Sequence, residues 1–463
     1  MIRPAGAAIV GAQAMRAAEQ ALFDGGMAQD ALMERAGAAV AREAARFAVR
    51  RPILVLAGPG NNGGDAYVVA RLLAEQGGDV RVAALGAAKD GSATRMRGLW
   101  RGETVALADA EPRAFLVDGL FGTGLTRPLA GDVATKLAAL SAAAEFTLAI
   151  DLPSGLDTDS GVSLGAAQAN LTIALGALKP AHLLGDGAGL CGDVIVADIG
   201  VPVSYDWRAL ARPVLAAPAR DAHKYSRGLV VVVEGAMPGA ARLAARAALS
   251  GGAGYVILAG GSRQGPDALV HSDAPLAKIL DDDRIAAVVV GPGLGRDDAA
   301  RAALETALGC RHALVLDGDA LSLLGDTAAA RVAERPAQTY LTPHSGEFDR
   351  MFAGSGGKIA RTLAAARAAT IIHKGADTVI ATPDGQVRIG SGPSWLSTAG
   401  TGDVLAGLLA ARHAPAGSPR DAAEQAVWLH ARAARLAGPA FAADDLIGQL
   451  PAAIEECLCA TTN

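Results

Sequence analysis

Aromatic side chains make up only 4% of this 463-residue chain, and it contains four cysteines. Cys191, Cys310, Cys457 and Cys459 form neither a CxxC pair nor a zinc-ligand spacing, and a chain this long buries enough core to need no disulfide framework. A zinc ribbon and a stapled secreted scaffold are thereby excluded, and a reducing cytoplasm is the expected location. Long apolar runs are missing too. The longest uncharged stretch, residues 160–178, holds Ser160, Gln168, Asn170 and Thr172, too polar for a membrane helix, so no membrane association is expected. Met1 to Met15 places Arg3 before an apolar patch, but Pro4, the small alanines and the lack of leucine argue against a signal peptide. Charge of one sign is also absent. Lys plus Arg total 42 against 47 for Asp plus Glu, a net charge of -5, and no basic stripe with interleaved aromatics marks a nucleic-acid surface.

What remains is aliphatic and small. A 51% hydrophobic chain with 57 glycines fits alanine-rich helices and glycine-rich turns around sheets of aliphatic strands, the α/β class. Strands are predicted at 53–57, 80–85, 115–118 and 146–151, with helical patterns such as Tyr67 to Gln76 between them, which implies a parallel sheet. Around 203–223, with Pro202, Pro213 and Pro218, the period lapses and a linker is expected. A second alternating series follows, with strands at 229–233, 254–259, 286–290, 313–317, 338–342, 370–373 and 378–382. Two α/β domains, 1–212 and 213–463, with two different sites are therefore expected.

In the first, Gly58-Pro59-Gly60-Asn61-Asn62-Gly63-Gly64-Asp65 joins a strand to a helix, where free backbone amides and the helix N-terminus favour a phosphate-bearing ligand. Two further strands end in Asp118, before Gly119-Leu120-Phe121-Gly122-Thr123-Gly124, and Asp151, before Leu152-Pro153-Ser154-Gly155. The carboxyl ends of parallel strands share one edge, so these groups can converge on one crevice. Asn62, Asp118 and Ser154 offer only hard oxygen ligands, suited to potassium, magnesium or calcium, or to a hydrogen-bond network without metal.

In the second, Ser397-Thr398-Ala399-Gly400-Thr401-Gly402-Asp403-Val404-Leu405-Ala406-Gly407 opens an amphipathic helix. Its glycines would place free amides where a phosphoryl group transfers, with Asp403 in the first turn as a base. Lys374-Gly375-Ala376-Asp377-Thr378, Gly291-Pro292-Gly293-Leu294-Gly295 and Thr342-Pro343-His344-Ser345-Gly346-Glu347 each follow a predicted strand. Lys374 suits a nucleotide phosphate, and His344 suits either a substrate contact or a structural hydrogen bond.

GPGNNGGD, DGLFGTGL and DLPSGLD, with the leading MRAAEQALFDGG and LMERAG, resemble the epimerase half of the bifunctional NAD(P)H-hydrate repair enzymes. VLDGDAL, TPHSGE and TAGTGDVLAG resemble the dehydratase half of the same family. The resemblance implies a Rossmann-like doubly wound domain followed by a ribokinase-like α/β domain. It implies epimerisation of R and S NADH or NADPH hydrates, and dehydration of the S form at the expense of ADP or ATP. For the epimerase it assigns Asp151 as the substrate-binding, acid/base carboxylate. It assigns the Asn61, Asn62, Gly63, Gly64, Asp65 and Gly122, Thr123, Gly124, Leu125, Thr126, Arg127, Pro128 loops to the nicotinamide nucleotide, and Asn62, Asp118 and Ser154 to K+. For the dehydratase it assigns Ala240, Gly293 and His344 to the hydrate, Lys374, Gly375, Ala376, Asp377, Thr378 and Gly402 to the adenine nucleotide, and Asp403 to catalysis, with Mg2+ on the phosphates. A homo-oligomer is also implied.

Three places depart from the family pattern: Ala66 stands where glycine is usual, Pro393 and Trp395 where Asn and Gly are usual, and HKYSRG replaces a glycine-rich HKGDYG type. The rival expectation is a ribokinase-like small-molecule kinase whose N-terminal half only binds nucleotide or oligomerises.

Overall fold

Short aliphatic runs between glycine turns favour strands buried on both faces. A computed structural model describes residues 5–87, 91–203 and 206–458 of the chain. Contacts divide it into two units, Met1–Ala209 and Leu210–Asn463. In the first unit β1 (Ile53–Ala57), β2 (Val80–Ala84), β3 (Thr104–Ala106), β4 (Phe115–Gly119), β5 (Phe146–Ile150), β6 (Leu171–Leu175) and β7 (Asp193–Ala197) form one sheet in the order β3-β2-β1-β4-β5-β6-β7. Every pairing is parallel. Alternation along the strands separates two cores. Ile53, Val55 and Val117 pack with Val40, Val68 and Val69 of helices Gln29–Phe47 and Asn61–Glu75, while Leu54, Leu56 and Leu116 pack with Leu137 and Leu140 of helix Gly131–Ala143. Helices on both faces and a strand order that reverses between β1 and β4 make this a Rossmann-like sheet, with its crevice at that reversal.

β8 (Trp207–Ala209) lies inside the stretch expected to be a structureless linker and pairs with Ala8. Its three residues are too few to show a period, which is why the sequence does not announce it. β3, β6 and β7 also went unanticipated, and the helix after β1 begins at Asn61, so NNGGD is its first turn rather than a loop before it.

The second unit holds β9 (Leu229–Val233), β10 (Tyr255–Ala259), β11 (Val270–Ser272), β12 (Ile285–Val290), β13 (Ala313–Leu316), β14 (Thr339–Leu341), β15 (Thr370–His373), β16 (Asp377–Ala381) and β17 (Val387–Ser391). Their order is β11-β10-β9-β12-β13-β14-β15-β16-β17, parallel through β15 and antiparallel at β16 and β17. β11 and β17 went unanticipated. Helices Pro238–Ser250, Thr401–His413, Pro419–Ala437 and Ala443–Glu455 share one core with the sheet. Alanine and glycine let them approach closely: a Cβ at Gly407 would stand 1.9 Å from the Ala244 carbonyl oxygen. This is a ribokinase-like unit. Among the described residues Cys191, Cys310 and Cys457 form no disulfide, and no helix is long and apolar enough to cross a membrane. Cys459, Met1, Arg3 and Pro4 lie outside the described residues.

Candidate active sites

At the carboxyl edge of the first sheet a cleft of about 540 Å³ is lined by Asn61, Asn62, Asp65, Gly122 to Arg127 and Asp151, together with Glu19 and Lys179. Close backbone approach builds it. A Cβ at Gly58 would lie 1.7 Å from the Leu120 carbonyl oxygen, so the loops after β1 and β4 meet only because that position is glycine. Gly63 and Gly64 are buried and serve packing: Cβ atoms there would strike the Gly58 carbonyl and the Met33 sulfur. Pro128 is exposed and lies outside the cleft lining. Ala66 is ordinary buried helix, and its methyl faces Gly119, where a Cβ would come within 2.6 Å.

Asp151 is held in left-handed backbone, φ 63°, a conformation that costs a non-glycine residue about 1–3 kcal/mol and persists only where neighbours over-determine it. Here they do. Its N–H donates to Ile173 at 2.9 Å, and its carbonyl lies 2.7 Å from His182 Nε2. Lys179 N–H donates to His182 Nδ1 at 2.8 Å, so Nε2 carries the proton given to Asp151. Burial, then the nearby Lys179 charge, pushes the His182 pKa down to about 4, which keeps that ring neutral. Asp151 Oδ1 accepts from Lys179 Nζ at 2.5 Å and from the Leu175 N–H at 3.0 Å, which leaves Oδ2 for a ligand. Lys179 is 1% exposed, so this ion pair is a buried one. Around it burial raises the carboxyl pKa of Asp65 well above the usual range. It also raises that of Glu19, against the pull of Lys179.

Beside the cleft, Asp118 Oδ1 accepts from the Ser154 hydroxyl at 2.6 Å and Oδ2 from the Ser154 N–H at 2.8 Å. The Phe121 carbonyl oxygen lies 3.1 Å from Ser154 Oγ, and Asn62 Oδ1 packs over Gly122. Asn62 Nδ2 is buried without a hydrogen-bond partner, and desolvation raises the Asp118 pKa. The oxygens of Asp118, Ser154, Phe121 and Asn62 amount to one carboxylate among neutral donors, a set that fits a hard cation.

In the second unit Gly400 caps helix Thr401–His413 at φ 90°, and Asp403 occupies the first turn. His430 Nε2 holds the Thr401 carbonyl at 2.8 Å. Asp317, 3% exposed at the end of β13, accepts from Lys374 Nζ at 2.6 Å and from the Thr342 hydroxyl at 2.8 Å. Both groups border the glycine turn: a Cβ at Gly402 would stand 3.3 Å from Lys374 Nζ and 3.6 Å from Asp317 Oδ2. Burial first, then the Asp317 charge, pushes the Asp403 pKa up to about 7, partly offset by Lys374. Asp319 receives the Gly295 N–H at 3.0 Å, tying the loop after β12 to the same edge.

The other expected residues divide. His344 Nδ1 accepts from the Gly346 N–H at 3.0 Å as the cap of helix Ser345–Met351, and its Nε2 lies 3.4 Å from Glu347 Oε1, although the ring is exposed. Ala240 lies in the first turn of helix Pro238–Ser250 against Gly293, where a Cβ would come within 3.0 Å of its methyl. Gly375 and Ala376 are exposed in the turn between β15 and β16, while Asp377 is held by Lys358 at 2.6 Å and the Thr378 hydroxyl donates to Gly375. HKYSRG builds a cation–aromatic stack: Lys224 Nζ lies 5.0 Å from the Tyr225 and Tyr255 ring centres, with Arg284 4.3 Å from Tyr225. Pro393 caps the short turn Ser394–Leu396, which leaves Trp395 half exposed.

The matching family models cover both units: one described as the YjeF-related protein N-terminus matches residues 29–181, and one described as NAD(P)H-hydrate dehydratase matches residues 230–457. The bifunctional NAD(P)H-hydrate repair enzyme Nnr of Gloeobacter violaceus is 38% identical over 92% of this chain and 92% of its own. The chain belongs to this family. The repair enzyme of Mycobacterium tuberculosis is 35% identical, covering 86% of this chain and 87% of that one. Among solved structures, the ADP/ATP-dependent NAD(P)H-hydrate dehydratase of Bacillus subtilis, co-crystallised with ATP and Mg2+, is 26% identical with a TM-score of 0.46, covering 53% of this chain and 95% of that one.

Sequence reasoning over this repair-enzyme chain missed Lys179, His182 and Glu19 in the first site and gave Asp317 no role in the second. One signal existed for Lys179. It is the first charge after the uncharged 160–178 stretch and stands directly before a proline, four residues past a buried strand.

Proposed function

We propose that the first unit interconverts the R and S hydrates of NADH and NADPH, and that the second dehydrates the S form with ADP or ATP, yielding AMP or ADP and phosphate. The observation that carries this is the presence, in one chain, of Asp151 on its buried lysine and Asp403 beside Lys374 and a glycine turn.

In the 6-hydroxy hydrate the ring nitrogen can expel the C6 hydroxyl as an iminium forms, and water then returns to either face. Asp151, with Oδ2 open to the cleft, moves the proton to and from that hydroxyl, while Lys179 and His182 hold the carboxylate and its strained backbone in place. Asn61, Asn62, Asp65 and the 122–127 loop bind the nucleotide. Asn62, Asp118 and Ser154, with the Phe121 carbonyl, would hold potassium, which when bound offsets the buried Asp118 charge. In the second unit Asp403 takes the proton of the C6 hydroxyl as that oxygen attacks the terminal phosphoryl group. The Gly400 to Gly402 amides stabilise the developing charge, and departure of phosphate from C6 with loss of a C5 proton to solvent restores the dihydropyridine. Ala240, Gly293 and His344 position the hydrate, and Lys374 to Thr378 with Gly402 position the nucleotide. Mg2+ would enter with the nucleotide, where it would supply charge neutralisation on the phosphates. A homo-oligomer and a cytoplasmic location complete the proposal, the latter supported by cysteines that form no disulfide among the described residues.

The test mixes purified protein with racemic NADH hydrate, ADP or ATP, Mg2+ and K+, following dihydronicotinamide absorbance and phosphate. Full recovery of both epimers with one phosphate per turnover is expected. Recovery of half would leave only the dehydratase, and a stable phosphorylated product would favour the kinase alternative.

A further inference from the structure

Two clefts on the carboxyl side of the second sheet share one side chain, Arg242. One, about 570 Å³, is lined by Gly239, Arg242, Leu243, Arg246, Pro266 and Asp444; the other, about 510 Å³, runs past Glu234, Gly235 and the Gly260 to Gln264 loop. They open past the carboxyl ends of β9 and β10, to one side of the strand reversal between β9 and β12. Arg242 sits two residues beyond Ala240 on helix Pro238–Ser250, half buried. Its neighbour Leu243 touches the catalytic turn: a Cβ at Gly400 would come within 2.7 Å of Leu243 Cδ1. Through Leu243 the first cleft adjoins the turn that presents Asp403.

Charge separates the lining groups. Arg246 is paired with Asp444, and Arg263 with Asp273 at 2.8 Å. Glu234 in the second cleft accepts from the Ser262 N–H at 2.7 Å. Arg242 alone of these arginines has no carboxylate partner among the described residues; it donates only to the Ser262 hydroxyl at 3.3 Å. A half-buried guanidinium holding one weak neutral partner has bidentate donors to spare, the geometry that suits a phosphate. Glu234 makes the second cleft unfavourable to an anion, so the phosphate belongs in the first.

We propose that Arg242 binds a phosphate of the dinucleotide hydrate and so determines substrate affinity in the dehydratase half, an assignment that rests on the functional reading above. Two phosphates share this chemistry: the pyrophosphate bridge common to both hydrates and the 2′-phosphate found only on the NADPH form. The experiment compares full-length wild type, Arg242→Gln and Arg242→Lys in dehydration of NADH hydrate and NADPH hydrate at saturating ADP. Losing a charged hydrogen-bond pair should raise the hydrate KM of Arg242→Gln by about 10-fold or more, with kcat and the ADP KM little changed. Arg242→Lys, which keeps the charge and loses the fork, should fall between and serves if the glutamine variant does not fold. Equal rises for both hydrates assign the pyrophosphate; a rise for NADPH hydrate alone assigns the 2′-phosphate. Titration calorimetry with NADP+ and NAD+ supplies a readout that needs no turnover. A wild type that dehydrates neither hydrate, while Arg242→Gln weakens dinucleotide binding, would sink the functional reading and keep Arg242. Active enzyme with unchanged hydrate KM values and unchanged isotherms would overturn the role of Arg242.

Discussion

The two halves place a carboxylate at the same kind of position, the carboxyl edge of a parallel sheet beside glycine turns, and treat it in opposite ways. Asp151 is locked: a buried lysine on its side chain, a neutral histidine on its carbonyl, and a left-handed backbone that only those contacts sustain. Asp403 is compensated only in part. The lysine nearest to it is spent on Asp317, so burial and a second negative charge raise its pKa to about 7. The contrast follows from what each step asks. A group exchanging a hydroxyl proton in both directions profits from fixed geometry, whereas a group that must take a proton during phosphoryl transfer profits from a pKa near the working pH.

The largest expected effect breaks the comparison in one half only. Asp403→Ala should lower dehydration by about 10²- to 10⁴-fold, as loss of a general base does, and leave epimer exchange untouched; exchange read by chromatography of the two hydrates, with ADP omitted, checks this. Asp151→Asn should abolish exchange with dehydration of the S form intact, and exchange at the normal rate would remove Asp151 from the mechanism. Lys179→Met should do more than slow exchange. It strands a buried carboxylate, which costs about 3–5 kcal/mol, visible as a lowered first transition in calorimetry.

Smaller effects sharpen the contrast. In the proposed mechanism Asp403 acts ionised, so dehydration should rise with pH through about 7. Asp317→Asn removes the neighbouring negative charge and frees Lys374, both favouring the Asp403 carboxylate, so the acid limb of the kcat profile should move to lower pH. An unmoved limb would assign it to another group. Stability runs the other way. A carboxyl whose folded pKa is raised from 3.8 to about 7 contributes stability that is intact below 3.8 and lost as pH rises through about 7. Asp403→Asn should therefore be the more stable protein at pH 8, by a few degrees in Tm as an order-of-magnitude expectation, and the gain should vanish near pH 4. Smallest of all, His344→Ala should cost roughly 1 kcal/mol through the lost cap of helix Ser345–Met351.

Much of this was legible in the chain. Strands such as Ile53–Ala57 and Leu229–Val233 are continuous aliphatic runs between glycine turns, and the motifs around Asp65, Asp118, Asp151 and Asp403 carry their own punctuation. The short strands β3, β8 and β11 have three residues each, below the length at which period 2 shows, and pair only because a neighbouring strand edge is waiting. The structural role that the sequence left open for His344 is present, with one ring nitrogen capping a helix and the other 3.4 Å from Glu347 Oε1, while its substrate contact belongs to the proposal.

What the sequence determined by itself was the class of each half, the glycine positions where backbones must touch, and the carboxylates placed at strand and helix ends, because those follow from local period, steric freedom and turn chemistry. Only the tertiary structure decided which cation each carboxylate receives. Lys179 stands 28 residues from Asp151, and Lys374 stands 57 from Asp317. No local rule links such pairs; the sheet order brings them within hydrogen-bond distance in a buried setting.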